Sequence, residues 1–265
     1  MNDLENSISY SLDGSDNPDI YPFLPYILRD LWELGALPKT IIDILKRNNI
    51  PGKFPGLKIL DLGCGKGAVS IYLAKEFGAV VHGVDGLADF INEANQKASE
   101  WGVDHLCSFE TGDIREYTKQ KHKYDVVILA AVGYVLGNVE ETISALSNCI
   151  NPNGFIVIDD GYIPDNTVFP NNIYIKESDY FNQLNRSNFE IVDTISIDES
   201  EMESMDSEIF EKIKRRVAEL ILKYPDKRTA LEKYLLKQES ENNIIENYVK
   251  NFSILLKRKQ DVIPG

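Results

Sequence analysis

The sequence predicts an α/β fold: a doubly wound, mostly parallel seven-stranded sheet with helices on both faces and a helical insert between the last two strands. Three observations carry this. From Leu57 to Asp159, short and nearly continuous apolar runs alternate with segments of helical periodicity, the pattern of parallel strands covered on both faces. Within it, Lys58-Ile-Leu-Asp61-Leu-Gly63-Cys-Gly65-Lys-Gly67 sets three alternating glycines between the first strand and the next helix. Late in the chain, two apolar runs bracket a helical stretch of roughly fifty residues, too long for an ordinary connection.

The elements follow in order. Residues 1–19 are polar and turn-rich and are expected to be irregular. From Phe23 the apolar spacing fits a helix that tolerates Pro25 in its first turn and ends at Gly35. Pro38 opens a second helix over Lys39 to Arg47, and Pro51-Gly52 closes that segment. Strands are expected at Leu57–Leu62, Val80–Val84, Leu106–Glu110, Asp125–Ala130 and Phe155–Asp159. Helices are expected at Ala68–Phe77, Ala88–Glu100 and Glu140–Cys149. After Gly161 come a helix, Ser178–Leu184, and a sixth strand, Glu190–Ile197. An acidic linker starts at Asp198, and two helical patterns follow, separated by Pro225. Phe210, Ile213, Val217, Leu220 and Tyr224 mark the first, and Leu231, Tyr234 and Leu235 the second. Phe252–Leu256 is the last strand. The expected organisation is an N-terminal helical cover over residues 1–55, a sheet core over 56–198 and 247–265, and an insert or lid over 199–246.

Bulk properties narrow the function. At 265 residues the chain can bury one substantial core. No apolar run approaches a membrane span, and the start of the chain lacks the basic and apolar segments of a signal peptide. Cys64, Cys107 and Cys149 lie far apart with no metal-type spacing, which fits free thiols in a reducing, cytoplasmic setting. A formal net charge of −14 disfavours nucleic acid as a partner, because phosphate is repelled at long range. The basic clusters Lys212–Arg216 and Lys257–Lys259 read as a solvated helix face and a strand end. The sequence does not fix the oligomeric state.

The chemistry concentrates at strand ends. Glycines turn the chain tightly at the first strand, and the following helix offers unpaired N–H groups. Asp61 lies near the end of strand one, Asp85 ends Val84-Asp85-Gly86, and Asp113 sits in Thr111-Gly112-Asp113-Ile114. Asp159 and Asp160 follow strand five. In an open parallel sheet these positions share one edge, where ligands bind. Asp85 lies about twenty residues past the glycine turn, where such folds place an acid that accepts ribose hydroxyls; a helix cap is its structural alternative. For Asp113 the alternative is likewise a cap or turn.

Residues 57–160 resemble the Rossmann-like core of class I S-adenosylmethionine-dependent methyltransferases. Leu60-Asp61-Leu62-Gly63-Cys64-Gly65-Lys66-Gly67 matches that family's first motif, Val84-Asp85 the second and Gly112-Asp113-Ile114 the third. Tyr124-Asp125-Val126-Val127 and Asn151-Pro-Asn-Gly154 resemble its fourth and fifth strand regions. The resemblance implies that the loop cradles the methionine and ribose portion of S-adenosyl-L-methionine, that Asp85 binds the ribose hydroxyls, and that Asp113 meets the adenine amino group. Ile114 would pack on the ring. The implied cofactor set is Asp61, Gly63, Cys64, Gly65, Gly67, Asp85, Gly86, Gly112, Asp113, Ile114 and Leu129, with S-adenosyl-L-homocysteine as product. A nicotinamide dinucleotide site is the rival for the glycine turn. Its fingerprint is G-x-G-x-x-G, whereas this turn is G-x-G-x-G. A carboxylate beneath the loop is awkward beside a pyrophosphate and suits a sulfonium and an ammonium.

Methyl transfer from a sulfonium is an in-line displacement in which the protein mainly aligns the acceptor. A base is needed only if the acceptor must lose a proton. The expected acceptor is a small molecule held beyond strands four and five, where Tyr134, Asp160 and Tyr162 are the pocket candidates; together they could receive an amine. No catalytic base is assigned, since His82, His105 and His122 lie away from the ligand edge. The (Asp/Asn)-Pro-Pro-(Tyr/Phe) loop of exocyclic-nitrogen methylation is absent after strand four, which disfavours DNA adenine or protein glutamine as acceptor. Asp159-Asp160 faintly resembles the metal acids of catechol-type enzymes, but alanines stand where those enzymes need an acid after strand four, so no metal is expected. Tyr21, Tyr26 and Trp32 in the cover and Tyr224 and Tyr234 in the insert are aromatics whose structural alternative is core. A protein or RNA methyltransferase that docks through the insert, and a non-catalytic S-adenosylmethionine-binding protein, remain alternatives.

Overall fold

The computed structural model describes residues 3–12, 19–168, 174–197 and 199–260. The chain opens on α1 (Asp3–Ser11), not on irregular structure. Leu4, Ile8 and Leu12 recur at helical spacing in this polar stretch, and Ile8 and Leu12 pack against a buried cluster. Residues 13–18 lie outside the described residues.

The helix expected from Phe23 to Gly35 is cut short to a 3₁₀ turn at Tyr21–Phe23 and the single turn α2 (Leu24–Ile27). Tertiary bonds override its periodicity: the Leu28 carbonyl accepts from Lys66 Nζ at 2.8 Å, and Trp32 Nε1 donates to the Lys66 carbonyl at 3.1 Å. α3 (Pro38–Arg47) follows as expected. Pro51-Gly52 does not close the segment; it lies inside the short α4 (Ile50–Lys53), where Pro is tolerated because its missing N–H would be unpaired anyway.

The alternating core is β1 (Lys58–Leu62), α5 (Ala68–Phe77), β2 (Val80–Asp85), α6 (Ala88–Glu100), β3 (Cys107–Thr111), the one-turn α7 (Ile114–Tyr117), β4 (Tyr124–Ala130), α8 (Val139–Ser147) and β5 (Ile150–Tyr162). α9 (Glu177–Arg186) and β6 (Phe189–Ser196) come next. The acidic stretch after Asp198 is not a linker but the start of the long α10 (Glu199–Lys223). Asp198 itself lies outside the described residues. A 3₁₀ turn beginning at Pro225 separates α10 from α11 (Arg228–Tyr248), and β7 (Lys250–Arg258) ends the sheet.

The seven strands run in the order β3-β2-β1-β4-β5-β7-β6. β1 to β5 pair in parallel and β7 runs antiparallel to both β5 and β6. Strand order reverses between β1 and β4, and a crevice opens at their carboxyl ends. One apolar cluster, including Ile59, Ile71 and Val126, fills one face of the sheet, and another, including Leu60, Val127 and Ile143, fills the other. A third joins the N-terminal segment (Leu24, Ile27, Leu31) to the insert (Val217, Leu231, Tyr234) and to Leu87 and Phe90 of the core. No described helix is long and apolar enough to cross a membrane.

Candidate functional site

The crevice at the β1–β4 switch holds a pocket built from the predicted strand ends. Asp61, Gly63, Cys64, Gly65, Asp85, Gly86, Gly112, Asp113 and Ile114 all line it. Two members of the predicted set stand elsewhere. Gly67 is the left-handed residue preceding α5, and a Cβ there would meet Phe109 Cζ at 2.9 Å and Ala94 Cβ at 3.0 Å, so it serves the packing of the turn. Leu129 faces the opposite side of β4 and lines a neighbouring cavity.

The glycine turn is shaped for close approach. Gly63 and Gly65 have φ of +70° and +51°, and a Cβ on Gly63 would lie 2.5 Å from Val132 Cγ2. Asp85 fixes the loop from below. Its Oδ2 accepts from the Gly65 N–H and its Oδ1 from the Leu87 N–H, both at 2.9 Å. It thus holds the N–H of Leu87, the residue that precedes α6, and faces the pocket; α6 itself has no side-chain cap. Burial raises its pKa, and the backbone donors oppose the rise.

Asp61 is 2% exposed and accepts from Ser70 Oγ at 2.6 Å. Burial pushes its carboxyl up to about 6, with the Ser70 bond lowering it and nearby Asp85 raising it. Asp113 caps α7 and is held by Arg115, whose Nη2 lies 2.7 Å from Oδ2; this ion pair lowers its pKa. Arg115 Nη1 also reaches Asp3 Oδ2 of α1 at 3.0 Å. Burial holds the Cys64 thiol well above its usual range, so it stays protonated.

Residues outside the expected set complete the walls. Leu4, Ser7, Ile8 and Ser11 of α1 lie over the pocket, and a Cβ on Gly86 would come within 2.5 Å of Ile8 Cδ1. Trp32, Glu33 and Leu34 form another side. The polar sequence around Leu4 and Ile8 hid these contacts, and only their four-residue spacing signals a helix. Lys66 belongs to the wall, but its ammonium turns away to the Leu28 carbonyl and to Glu93, at 2.8 Å. Among the described lining residues Lys66 is the one Lys or Arg, against the four acids Glu33, Asp61, Asp85 and Asp113.

The acceptor candidates separate. Tyr134 and Asp160 line a small cavity on the far side of Val132, together with Asp159, Thr142 and Tyr180. Tyr162 does not join them. It faces a third cavity with Phe181, Val249 and Phe252, and interacts with Glu177. The Asp160 carboxyl folds back onto the Gly161 N–H at 2.8 Å and meets the Tyr180 hydroxyl, whereas the Tyr162 ring packs on Phe181 and Phe252. Asp159, which the sequence left as a weak metal acid, accepts from Ser253 Oγ on Oδ1 and has a buried Oδ2. No described residue of α10 or α11 lines the pocket or the Asp159 cavity; the insert packs on the N-terminal segment, and Ile245 and Glu246 of α11 line the cavity that Tyr162 faces. His82 and His122 stay distant, with His122 stacked on Tyr117 at 4.2 Å. Among the described residues no group of three or more His, Cys, Asp or Glu side chains is arranged to hold a metal ion.

A family profile described as a methyltransferase domain matches residues 53–211. The chain is 30% identical over 110 residues to a ubiquinone biosynthesis O-methyltransferase of Brucella anthropi, covering 42% of this chain and 43% of that protein. It is 30% identical over 106 residues to a ribosomal protein arginine N-methyltransferase of Schizosaccharomyces pombe, covering 39% of this chain and 19% of that protein. The chain thus spans less than half the length of these two relatives. In three dimensions it is similar to a solved methyltransferase from Geobacter sulfurreducens in complex with S-adenosyl-L-homocysteine. The TM-score is 0.73 at 19% identity, covering 92% of this chain and 99% of that one, a likeness of fold.

Proposed function

The chain belongs to the family of class I S-adenosylmethionine-dependent methyltransferase domains, and on that premise we propose that it transfers a methyl group to a small-molecule acceptor by in-line displacement. The observation that supports the donor is the charge of the pocket. Four carboxyl side chains line it and its one cation is turned away, which suits a ligand carrying a sulfonium and an ammonium and repels a pyrophosphate. The glycine turn leaves a cradle that a Cβ at Gly63 would fill.

Asp85 would receive the ribose hydroxyls on the lone pairs left by its two backbone donors. Asp113 would meet the adenine edge on lone pairs left by Arg115, with Ile114 against the ring. Asp61 supplies negative potential beneath the turn. When bound, the donor supplies an activated methyl carbon. The chain's own part is to exclude water under α1 and Trp32, to fix the donor by its ribose and adenine, and to align the acceptor. A small acceptor suits a pocket roofed by α1, and the net charge of −14 weighs against RNA.

Calorimetry with S-adenosylmethionine and with NAD tests the donor: saturable binding of the first alone is expected, and preferential binding of NAD would overturn the reading. Labelled-methyl transfer to fractionated metabolites, peptides and RNA tests the acceptor. Label in the metabolite fraction is expected. Label confined to peptides or RNA would replace the small-molecule reading.

A further inference from the structure

Asp113 is held more firmly than a helix cap requires. Its Oδ1 accepts from the Arg115 N–H at 2.9 Å, and that bond alone caps α7. The Arg115 side chain then closes over both oxygens. Its Nε lies 3.0 Å from Oδ1 and 3.1 Å from Oδ2, and its Nη2 lies 2.7 Å from Oδ2. A carboxylate offers about four lone-pair sites. The N–H, Nε and Nη2 donors of this one residue fill all but one of them, and the open one is on Oδ2. The pair is mostly covered, with 18% side-chain exposure at Asp113 and 26% at Arg115, so solvent screens it little. The remaining edge of the guanidinium, Nη1, reaches Asp3 Oδ2 of α1 at 3.0 Å. Asp3 is exposed and adds little strength, but the contact sets the fork beside α1, whose Leu4 and Ser7 line the donor pocket together with Asp113.

We propose that Arg115 is a positioning residue for the base of the donor: its fork aims the open lone pair of Asp113 at the exocyclic amino group of adenine and bars the carboxyl from turning to another edge. Arg115 does not line the pocket, so it acts through Asp113. The consequence is a choice between bases. Adenine presents an amino donor at this edge. Hypoxanthine presents a carbonyl oxygen in its place, with an N–H on the neighbouring ring nitrogen. A carboxyl free to rotate accepts from either donor. A carboxyl held by a planar fork accepts from the amino group and meets the carbonyl oxygen acceptor to acceptor. A supporting group that locks the rotamer of a recognising group is what such selectivity needs, and the fork supplies it beyond the demands of the cap.

The inference deepens the donor reading and rests on it, so both are read in one experiment. The ligands are S-adenosyl-L-homocysteine and S-inosyl-L-homocysteine, the same molecule with hypoxanthine for adenine, and binding is measured by calorimetry. The unaltered protein should prefer the adenine form by about tenfold or more, the range of one charge-assisted hydrogen bond. Arg115→Gln should cut that preference at least about threefold, by weakening the adenine form while the hypoxanthine form binds as before or tighter. Binding of the hypoxanthine form also shows that the variant is folded. Arg115→Lys keeps the charge and loses the fork, and should lose the preference in the same way. A preference left intact in either variant, or an equal loss for both ligands, overturns the role of Arg115 and leaves it a support of the α7 turn. Asp113→Asn is the reference, since its amide can face either base; it should abolish the preference. A preference that survives Asp113→Asn shows that this acid does not meet the base, and the inference falls with it. Failure of both ligands to bind the unaltered protein overturns the donor reading itself.

Discussion

Gly63 and Asp159 fail in opposite ways when changed. At Gly63, alanine would have to hold φ of +70° and push a Cβ to 2.5 Å from Val132. The backbone penalty alone is about 1 kcal/mol, and displacing Val132 adds to it. Gly63→Ala should therefore weaken S-adenosyl-L-homocysteine binding at least about tenfold, read by calorimetry, since about 1.4 kcal/mol is a factor of ten. At Asp159 the native side chain is the costly one. Burial, with Asp160 and Asp61 adding repulsion, pushes its carboxyl up to about 7, and the Ser253 bond and the Leu37 amide only partly oppose this. An unfolded aspartate titrates near 4. The stabilising contribution of the protonated folded carboxyl is thus complete below about pH 4 and is lost as pH rises to about 7. Asp61 and Asp160, each raised to about 6, act in the same direction. Asp159→Asn should flatten the fall in stability between pH 4 and 7 and leave the ligand-free variant more stable at pH 8, by an amount on the order of 1–4 kcal/mol. Urea unfolding across that range reads it, and an unchanged slope would contradict the assignment. The strand-end acids were legible in the sequence because spacing alone puts Asp61, Asp85 and Asp113 at one edge. The separation of Tyr162 from Asp160 was not, because it depends on side-chain packing that sets the Tyr162 ring on Phe181 and Phe252 and Asp160 against Tyr180.

Among the elements, periodicity revealed those whose partners are the sheet and missed those whose partners are side chains elsewhere. The strands from β1 to β5 and the helices between them followed from apolar runs and their alternation. The helix expected after Phe23 is cut short where the Leu28 carbonyl accepts from Lys66, thirty-eight positions on. α1 was lost in polar sequence because one face alone touches protein, and the Asp198 stretch read as a linker because its composition is acidic. Lys66 joins these errors to the site. It is 1% exposed, pairs with Glu93 at 2.8 Å, lies over the Phe90 ring at 5.5 Å, and its own carbonyl accepts from Trp32. Burial lowers its pKa and Glu93 opposes that fall, so the charge is held by its partners. The residue inside the glycine turn thus pins the N-terminal segment to the donor pocket. Lys66→Met keeps the volume and removes the pin, leaving the Leu28 carbonyl and Glu93 without their donor. A loss of about 2–4 kcal/mol in urea unfolding is expected, with weaker donor binding. A variant that kept full stability would show that the buried pair is dispensable.

Across the whole molecule, no described residue of the insert lines the donor pocket; the insert packs on the N-terminal segment in a cluster that also holds Leu87 and Phe90 of the pocket wall. Val217, Leu220 and Leu231 bury against Leu24, Ile27 and Leu31, and Arg216 grips Asp30 with Nε and Nη2 at 2.6 and 2.8 Å. Tyr26 adds a bond to Glu219 at 2.6 Å. From this layer the Leu28 carbonyl leads to Lys66, and Trp32 to the carbonyl of the same residue. The N-terminal segment is therefore clamped between two bodies, one of which is the cofactor corner. If the clamp orders that segment, loosening it from the insert side should cost donor affinity without touching a lining residue. Arg216→Gln is the direct test, because it removes the fork on Asp30 and leaves the apolar contacts in place. Weakening of S-adenosyl-L-homocysteine by roughly two- to fivefold is expected, the range of modest coupling energies. Asp30→Asn should give a loss of similar size, and the double variant should lose less than the sum, since the two share the fork while Asp30 also meets Arg215 and Arg216 also meets Glu219. Additive losses would mean that each residue acts separately, and an unchanged affinity would make the insert a structural buttress with no bearing on the donor. Raising salt from low to about 0.15 M should shrink the effect only partly, because the pair is mostly covered and screening falls chiefly on exposed charge.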